Sequence, residues 1–507
     1  MSASTGIQPD TAENRALQEL VHPDGWINPA PAGRYNLVVI GAGTAGLICA
    51  AGAAGLGARV ALVERHLMGG DCLNYGCIPS KGIIRASRAV FEVRTAGQFG
   101  VEGCEDLSCN FGAVMERMRR IRAEISRHDS AIRFRDELGV DVFFGDGHFS
   151  TPDRIEVAGS TLLFRKAAIC TGARAAAPPI PGLAESGYLT NETVFSLTEL
   201  PRRMAVIGAG PIGCELAQAF ARFGSRVTLI EAAPQILVRE DRDAAEIIQA
   251  ALVREGLTLL VNAKVSSVER RGDERIVHLE SGGVSREICV DAIVIGVGRA
   301  PNVEGLGLEN AGITYDRSGV TVDTNLRTSN PDVYAAGDIC SPYRFTHTAD
   351  AQARILIANA LFKGRQKNTS LTIPWCTYTD PEIAHVGMYE QEAMDKGLEV
   401  TTLTVPLSDV DRAVLDGETD GFARVHLKKG TDSILGATIG ARHAGDMISE
   451  LSLAITAGLG LGSIARTIHP YPTQAEVVKK LADMYNRTRL TPFVKRLLAG
   501  WLKWQRS

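Results

Sequence analysis

A chain of 507 residues is too long for one hydrophobic core and implies two to four domains. Its 45% apolar and 22% charged content is that of a soluble globular protein, and a net charge of −4 gives no electrostatic footprint for nucleic acid. Ten cysteines over this length exclude a secreted disulfide scaffold; Cys49, Cys170 and Cys214 lie in apolar or small-residue runs and read as small buried hydrophobes.

Residues 1–33 read as a polar, proline-containing N-terminal extension without an apolar core of signal-peptide length. No run of ~18 apolar residues occurs anywhere, so the expectation is a cytoplasmic chain with no membrane span. An internal repeat follows. The apolar run Tyr35–Ile40 leads into Gly41-Ala-Gly43-Thr44-Ala45-Gly46, a small-residue helix, and a second strand ending on Glu64. Met204–Ile207 leads in the same way into Gly208-Ala-Gly210-Pro-Ile-Gly213, a helix, and a strand ending on Glu231. In both copies the acid lies 23 residues beyond the first glycine.

Each copy predicts strand, turn, helix, strand. The first glycine permits the tight turn, the second clears room for a pyrophosphate, and the third lets helix and strand pack closely. The helix N-terminus offers N–H groups to the phosphates, and the acid can accept from ribose hydroxyls. One such fingerprint is weak. Two in register predict two bound dinucleotides with electrons moving between them.

Ser108–Asp136 predicts a helical segment with many exposed charges, and Val261–Asp291 predicts β structure with turns at Arg271-Gly-Asp and Ser281-Gly-Gly. From about Pro374 the pattern becomes mixed α+β, a further folding unit. After Glu64 stands Gly69-Gly-Asp-Cys72-Leu-Asn-Tyr-Gly-Cys77-Ile-Pro-Ser-Lys81. Cysteines five apart do not share a face of a regular helix, but Gly76 and Pro79 make distortion plausible. No second thiol pair or His pair with ligand spacing accompanies them, which disfavours a metal half-site. Beside a dinucleotide fold the pair reads as a thiol–disulfide relay, its thiolates favoured by a helix N-terminus and by Lys81.

Gly-Gly-x-Cys-x4-Cys-x-Pro-Ser-Lys resembles the active-site segment of the flavin-dependent disulfide reductases, which include dihydrolipoamide dehydrogenase, glutathione reductase and mercuric reductase. The likeness extends from about Tyr35 to Asp483, through Ile169-Cys-Thr171-Gly172, Gly298-Arg-Ala-Pro-Asn302, Thr328…Tyr334-Ala-Ala-Gly337-Asp338 and Tyr378-Thr-Asp-Pro-Glu-Ile-Ala-His-Val-Gly387. It implies an α/β homodimer with two Rossmann-like domains and a C-terminal α+β dimerisation domain. The implied order is extension 1–33, FAD domain 34–182 and 303–370, nicotinamide domain 183–302, dimerisation domain 371–485 and a basic tail 486–507.

By the same resemblance, FAD sits on Gly41, Gly43, Thr44, Ala45, Gly46, Glu64, Lys81, Thr171, Gly172, Gly337 and Asp338, with Asp338 on the ribityl chain. NAD(P)H sits on Gly208, Gly210, Gly213, Glu231 and Gly298. Cys72 matches the interchange thiol, left as the exposed thiolate after reduction, and Cys77 the thiol beside the flavin. Lys81 pairs with Glu215. Ala232 and Ala233 stand where NADPH-preferring relatives tend to place arginine, so NADH is expected, weakened slightly by Arg239 and Arg242.

The departures from the family bear on the acceptor. The disulfide-reducing members carry His-x4-Glu near the C-terminus; here Glu476 is preceded by Tyr471, and a phenol with a pKa near ~10 is a poor base at neutral pH. His469, two residues earlier, is expected to be structural. Tyrosine there resembles the mercuric reductases, but neither their C-terminal cysteine pair nor an N-terminal Cys-x2-Cys domain is present. The reading is a mercuric-reductase-like metal or disulfide reductase, with dihydrolipoamide dehydrogenase or a membrane-docked electron donor as alternatives.

In the tail, Thr491 and Pro492 predict a helix start. Leu490, Phe493, Val494, Leu497, Leu498, Trp501 and Leu502 share a face, with Arg487, Arg489, Lys495, Arg496, Lys503 and Arg506 and no acid after Asp483. This helix either meets a membrane surface or partner, or packs on the protein's own dimer as surface helices usually do.

Overall fold

Parallel sheets carry both glycine turns. The computed structural model describes residues 7–31, 33–103 and 108–506; Met1–Gly6 and Ala32 of the extension, and Ser507 of the tail, lie outside the described residues. The chain divides into two units, residues 1–234 with 257–371 and residues 235–256 with 372–507.

In the first unit, strands Asp141–Phe144, Val60–Glu64, Arg34–Ile40 and Ser160–Ile169 lie side by side in parallel, and Val333–Ala335 also pairs with Ser160–Ile169. Antiparallel Arg154–Val157 and His148–Thr151 complete seven strands. Val60–Glu64 is buried throughout, as a strand covered on both faces must be. A second parallel sheet has the order Thr258–Leu260, Arg226–Ile230, Arg203–Ile207, Ala292–Ile295. The expected β segment is a three-stranded antiparallel sheet, Ala263–Arg271, Glu274–Ser281 and Val284–Val290, turning where the glycines stand.

The N-terminal segment contributes to the core. Helix Ala12–Val21, capped by Thr11, buries Leu17 and Val21 completely beside Leu37, Leu62 and Met68. Burial on this scale contributes about 1.5–3 kcal/mol per side chain. Beyond it the chain covers the sheet edge. Trp26 Nε1 donates to the Val142 carbonyl at 3.2 Å, and the Asn28 amide exchanges two hydrogen bonds with the backbone of Phe144 at 2.8 and 2.9 Å. An edge strand's unpaired groups are thereby satisfied.

The segment expected to be helical with many exposed charges is helical over Phe111–Ile125 and Ala131–Asp136, but two of its cations are buried. Arg119 Nη2 donates to the Leu197 carbonyl at 2.8 Å. Arg122 donates to the Asn74 carbonyl at 2.8 Å and to Asn14 Oδ1 at 2.7 Å. Burial pushes its pKa down to about 10.

The second unit is built on an antiparallel sheet in the order Pro374–Thr377, Glu382–Gly387, Ile434–Ala441, Phe422–Lys428, Val400–Pro406. Its core joins these strands to helices Ala444–Thr456 and Glu476–Thr488. Helix Arg242–Arg254 also belongs to this unit: Arg424 pairs with Asp241 at 3.2 Å and with Asp243, and buried Glu240 accepts from Trp375 Nε1 and Tyr389 Oη at 2.8 and 2.7 Å.

Candidate active site

The two glycine turns repeat each other closely. Gly41 and Gly208 have φ of 96° and 99°, where an L side chain is strained. A Cβ on Gly46 would fall 1.8 Å from the Gly41 carbonyl oxygen, and one on Gly213 would fall 1.9 Å from that of Gly208. Glu64 Oε2 accepts from Ala42 N and Glu231 Oε2 from Ala209 N, both at 2.7 Å. Their second oxygens accept from His66 N and Ala233 N at 2.8 and 2.9 Å. Burial pushes the Glu64 carboxyl up, opposed by these backbone donors.

A carboxylate offers about four lone-pair sites, so each acid keeps capacity for a ribose hydroxyl. Helices Thr44–Gly55 and Pro211–Phe223 start at Gly43 and Gly210 without a side-chain cap. A Cβ on Gly43 would approach only Gly70 Cα, at 3.7 Å, and one on Gly210 nothing within 4 Å. Both turns therefore fit a pyrophosphate on an open helix N-terminus.

The dithiol is mounted on the first turn. Gly69 N donates to the Ala42 carbonyl at 2.8 Å, and a Cβ on Gly70 would sit 2.5 Å from Gly43 Cα. The short helix Gly70–Tyr75 ends at Gly76, and helix Cys77–Arg94 begins anew. A Cβ on Gly76 would lie 2.9 Å from the Asp71 carbonyl oxygen and 3.2 Å from Cys72 Cα. That close approach breaks the helix and lets cysteines five apart hydrogen-bond through sulfur.

Cys72 is half-buried and Cys77 exposed, both as thiols. The hydrogen bond from Cys72, followed by the Thr346 hydroxyl and the charge on Lys81, lowers Cys77 to about 6 against the opposing effect of burial and Asp71. Cys72 is pushed up, first by donating to Cys77 and then by burial. In the reduced pair these influences favour the proton on Cys72 and the charge on Cys77, the thiol expected beside the flavin. Thr346 Oγ1 lies 3.4 Å from Cys77 Sγ. Lys81 Nζ donates to Glu215 Oε2 at 2.8 Å, with the carboxylate 6% and the lysine 37% exposed. This pair joins the redox helix to the helix of the second glycine turn.

Asp338 is half-buried, its desolvation pushes its carboxyl up, and Arg299 opposes this from 3.5 Å. Arg299 also pairs with Asp71 at 3.2 Å. Gly337 N donates to Gln352 Oε1 at 2.8 Å. Thr171 Oγ1 donates to the Asn302 carbonyl at 3.0 Å, Asn302 N returns a bond to the Gly172 carbonyl at 3.0 Å, and Gly298 turns at φ 124°. Gly70, Thr346 and Arg299 escaped the sequence reading as site residues. The Gly69-Gly70 pair beside Cys72 and the motif Gly298-Arg-Ala-Pro-Asn302 were the signals that could have found the first and last of them.

In the second unit Tyr471 is 69% exposed and its hydroxyl donates to Asp411 Oδ2 at 2.9 Å. Asp411, with Glu476 adding a smaller repulsion, raises the phenol above its usual pKa. Glu476 begins helix Glu476–Thr488; its Oε2 is buried without a hydrogen-bond partner among the described residues, and Lys480 lies 3.8 Å from its other oxygen. His469 Nε2 is engaged by Glu450 at 3.1 Å and its Nδ1 lies 3.3 Å from the Thr467 carbonyl, a structural setting.

Two dinucleotide turns with a dithiol seated on one of them define a class, the nucleotide-linked thiol oxidoreductases. The chain belongs to the pyridine nucleotide-disulphide oxidoreductase family, whose model matches residues 35–353 and whose dimerisation domain matches residues 373–482. Members use FAD and NAD(P)H, and this chain is an α/β flavoprotein oxidoreductase of that family. It is 34% identical over 473 residues to a mercuric reductase of Bacillus cereus, covering 93% of this chain and 75% of that protein. It is also 34% identical over 453 residues to the dihydrolipoyl dehydrogenase of Geobacillus stearothermophilus, covering 88% and 95%. Among solved structures it resembles the HOCl-induced flavoprotein disulfide reductase RclA from Escherichia coli, with TM-score 0.79, 29% identity and coverage of 89% and 99%. LpdA from Mycobacterium tuberculosis gives TM-score 0.81 at 27% identity, covering 89% and 99%.

Proposed function

We propose that this chain is a cytoplasmic, homodimeric NADH-preferring reductase that delivers electrons through Cys72 and Cys77 to a soft metal ion such as Hg(II). Residues 34–182 with 303–370 would form the FAD domain, 183–302 the nicotinamide domain and 371–485 the dimerisation domain. The observation that carries the acceptor is Tyr471, held by Asp411 where the dithiol-handling relatives need an imidazole. Moving a proton at a substrate sulfur requires a base that titrates near the working pH. A phenol raised by a neighbouring carboxylate is not one, and His469 is occupied by Glu450. A metal ion has no substrate sulfur at which a proton must be moved.

Held by the first glycine turn, Glu64 and Asp338, FAD would supply a two-electron relay from the nicotinamide to the sulfur pair. Accepting two electrons and one proton converts the Cys72–Cys77 disulfide into a Cys77 thiolate and a Cys72 thiol. A soft metal ion binding the pair displaces the Cys72 proton to solvent and is held by two thiolates, the ligands such metals favour. Lys81 and Thr346 stabilise the first thiolate. Glu231, with no arginine at Ala232 or Ala233, accepts from a free 2′-hydroxyl and repels a 2′-phosphate. Relatives named mercuric reductase, and a solved Cu(II) complex of RclA, support metal-ion chemistry on this scaffold.

NADH oxidation measured with Hg(II), Cu(II), lipoamide, glutathione disulfide and quinones tests the reading. A metal ion should give the largest kcat/KM. Equal or faster turnover of lipoamide would return the chain to the dihydrolipoamide dehydrogenases, the second reading supported by comparable identity.

A further inference from the structure

The family's dimerisation domain matches only to residue 482, and the chain continues into an element that the oxidoreductase reading does not use. Helix Pro492–Trp504 is capped by Thr491, whose hydroxyl accepts from Val494 N at 3.3 Å, and has Pro492 at its first position. None of its residues is buried. At 3.6 residues per turn, Phe493, Val494, Leu497, Leu498, Trp501, Leu502 and Trp504 fill one half of its circumference. The six larger of these are 47% to 67% exposed. Lys495, Arg496, Lys503 and Arg506 lie on the other half, with Arg487 and Arg489 just before the helix and no Asp or Glu after Asp483.

We propose that this helix docks the protein on the surface of an anionic lipid bilayer. Thirteen residues at ~1.5 Å per residue reach about 20 Å, short of the ~30 Å hydrocarbon core, and no helix among the described residues is long and apolar enough to cross a membrane. The helix therefore lies in the interface plane rather than spanning it. Its apolar half enters the boundary between headgroups and acyl chains, and its cations remain among the phosphates. Trp501 and Trp504, with ring centroids 5.1 Å apart, provide amphipathic rings that favour headgroup depth. The choice of lipid over a protein groove rests on charge: every ionised side chain after Asp483 is cationic, which matches a uniformly negative surface.

The test is co-flotation of the FAD-loaded full-length protein with phosphatidylglycerol/phosphatidylcholine vesicles or with phosphatidylcholine vesicles. The bound fraction should be at least about tenfold higher on the anionic vesicles at 0.1 M salt, and this preference should shrink at 1 M salt. Leu497→Glu with Trp501→Glu should abolish flotation while leaving flavin content, dimer mass and NADH oxidation with a soluble acceptor unchanged. Lys495→Gln, Arg496→Gln and Lys503→Gln together should remove the anionic preference but keep the apolar face. The proposal is overturned if the wild type stays with the soluble fraction, or if the double variant floats as well as the wild type. Loss of the dimer in the double variant would equally overturn it, because the face would then belong to a second copy of the chain.

Discussion

Replacing Cys72 with alanine should raise the pKa of Cys77, because the hydrogen bond from Cys72 is the largest influence lowering it. With a value of about 6, Cys77 in the reduced enzyme is about nine-tenths thiolate at pH 7, against a few per cent for a cysteine at ~8.5. The fraction falls as pH drops through 6, to about one tenth at pH 5. A low-pKa thiolate is also intrinsically less nucleophilic, with a Brønsted slope of about 0.4–0.5, which offsets part of the gain in absolute rate. The midpoint of the pH profile is therefore the diagnostic quantity. Iodoacetamide alkylation of the prereduced enzyme, read at Cys77 by peptide mass, should titrate near pH 6. In Cys72→Ala the midpoint should rise by about one unit or more, and in Thr346→Val by less, following the order of their influence. A wild-type midpoint above 8, or an unchanged midpoint in Cys72→Ala, would refute the shared-proton account.

Gly46→Ala should yield flavin-free or insoluble protein, because its Cβ would land 1.8 Å from the Gly41 carbonyl oxygen; a flavin spectrum of normal stoichiometry would contradict this. Asn14→Leu removes a buried acceptor from Arg122 and should cost about 1.5–3 kcal/mol, seen as a Tm lower by several °C with flavin still bound. Glu231→Arg should shift kcat/KM from NADH toward NADPH, and identical nucleotide ratios before and after would remove Glu231 from recognition. Tyr471→His should raise lipoamide or glutathione disulfide turnover by about 10²-fold or more while leaving metal-ion turnover level or lower, since an imidazole titrates near neutrality. No gain with any disulfide would show that the missing base is not what limits that activity.

The dinucleotide turns were legible because their chemistry is local: the glycine spacing and the terminal acid lie within one strand–turn–helix–strand unit. Gly76 was legible as a break for the same reason, being adjacent to the cysteines it brings together. Contacts across the chain were not. Thr346 reaches Cys77 over 269 residues, and no pattern near either residue marks the pairing. Arg299 lay inside a recognised motif, yet its bridge between Asp71 and Asp338 depends on the folded positions of three separate segments. The family order distinguished the two thiols by role, but the Thr346 hydroxyl that favours a thiolate on Cys77 comes from a distant segment and was not legible.

The N-terminal segment shows how polar composition can conceal a structural role. Its polar and proline residues gave no helical stripe long enough to stand out, but Leu17 and Val21 are buried in the core with Leu20 and Trp26 packed against it, and Asn28 pairs with a strand edge. Arg122 extends that anchoring to the redox centre. It holds Asn14 on one side and the Asn74 carbonyl on the other, and Asn74 lies in the short helix between Cys72 and Gly76. The Asn74 side chain in turn donates to the carbonyls of Met68 and Gly70, on the segment pinned to the first glycine turn. A guanidinium buried at this point is expensive unless its hydrogen bonds are satisfied, so loosening the N-terminal helix would also loosen the backbone that spaces the two thiols. Helix Ala12–Val21 is thus hydrogen-bonded, through Asn14 and Arg122, to the short helix that carries Cys72.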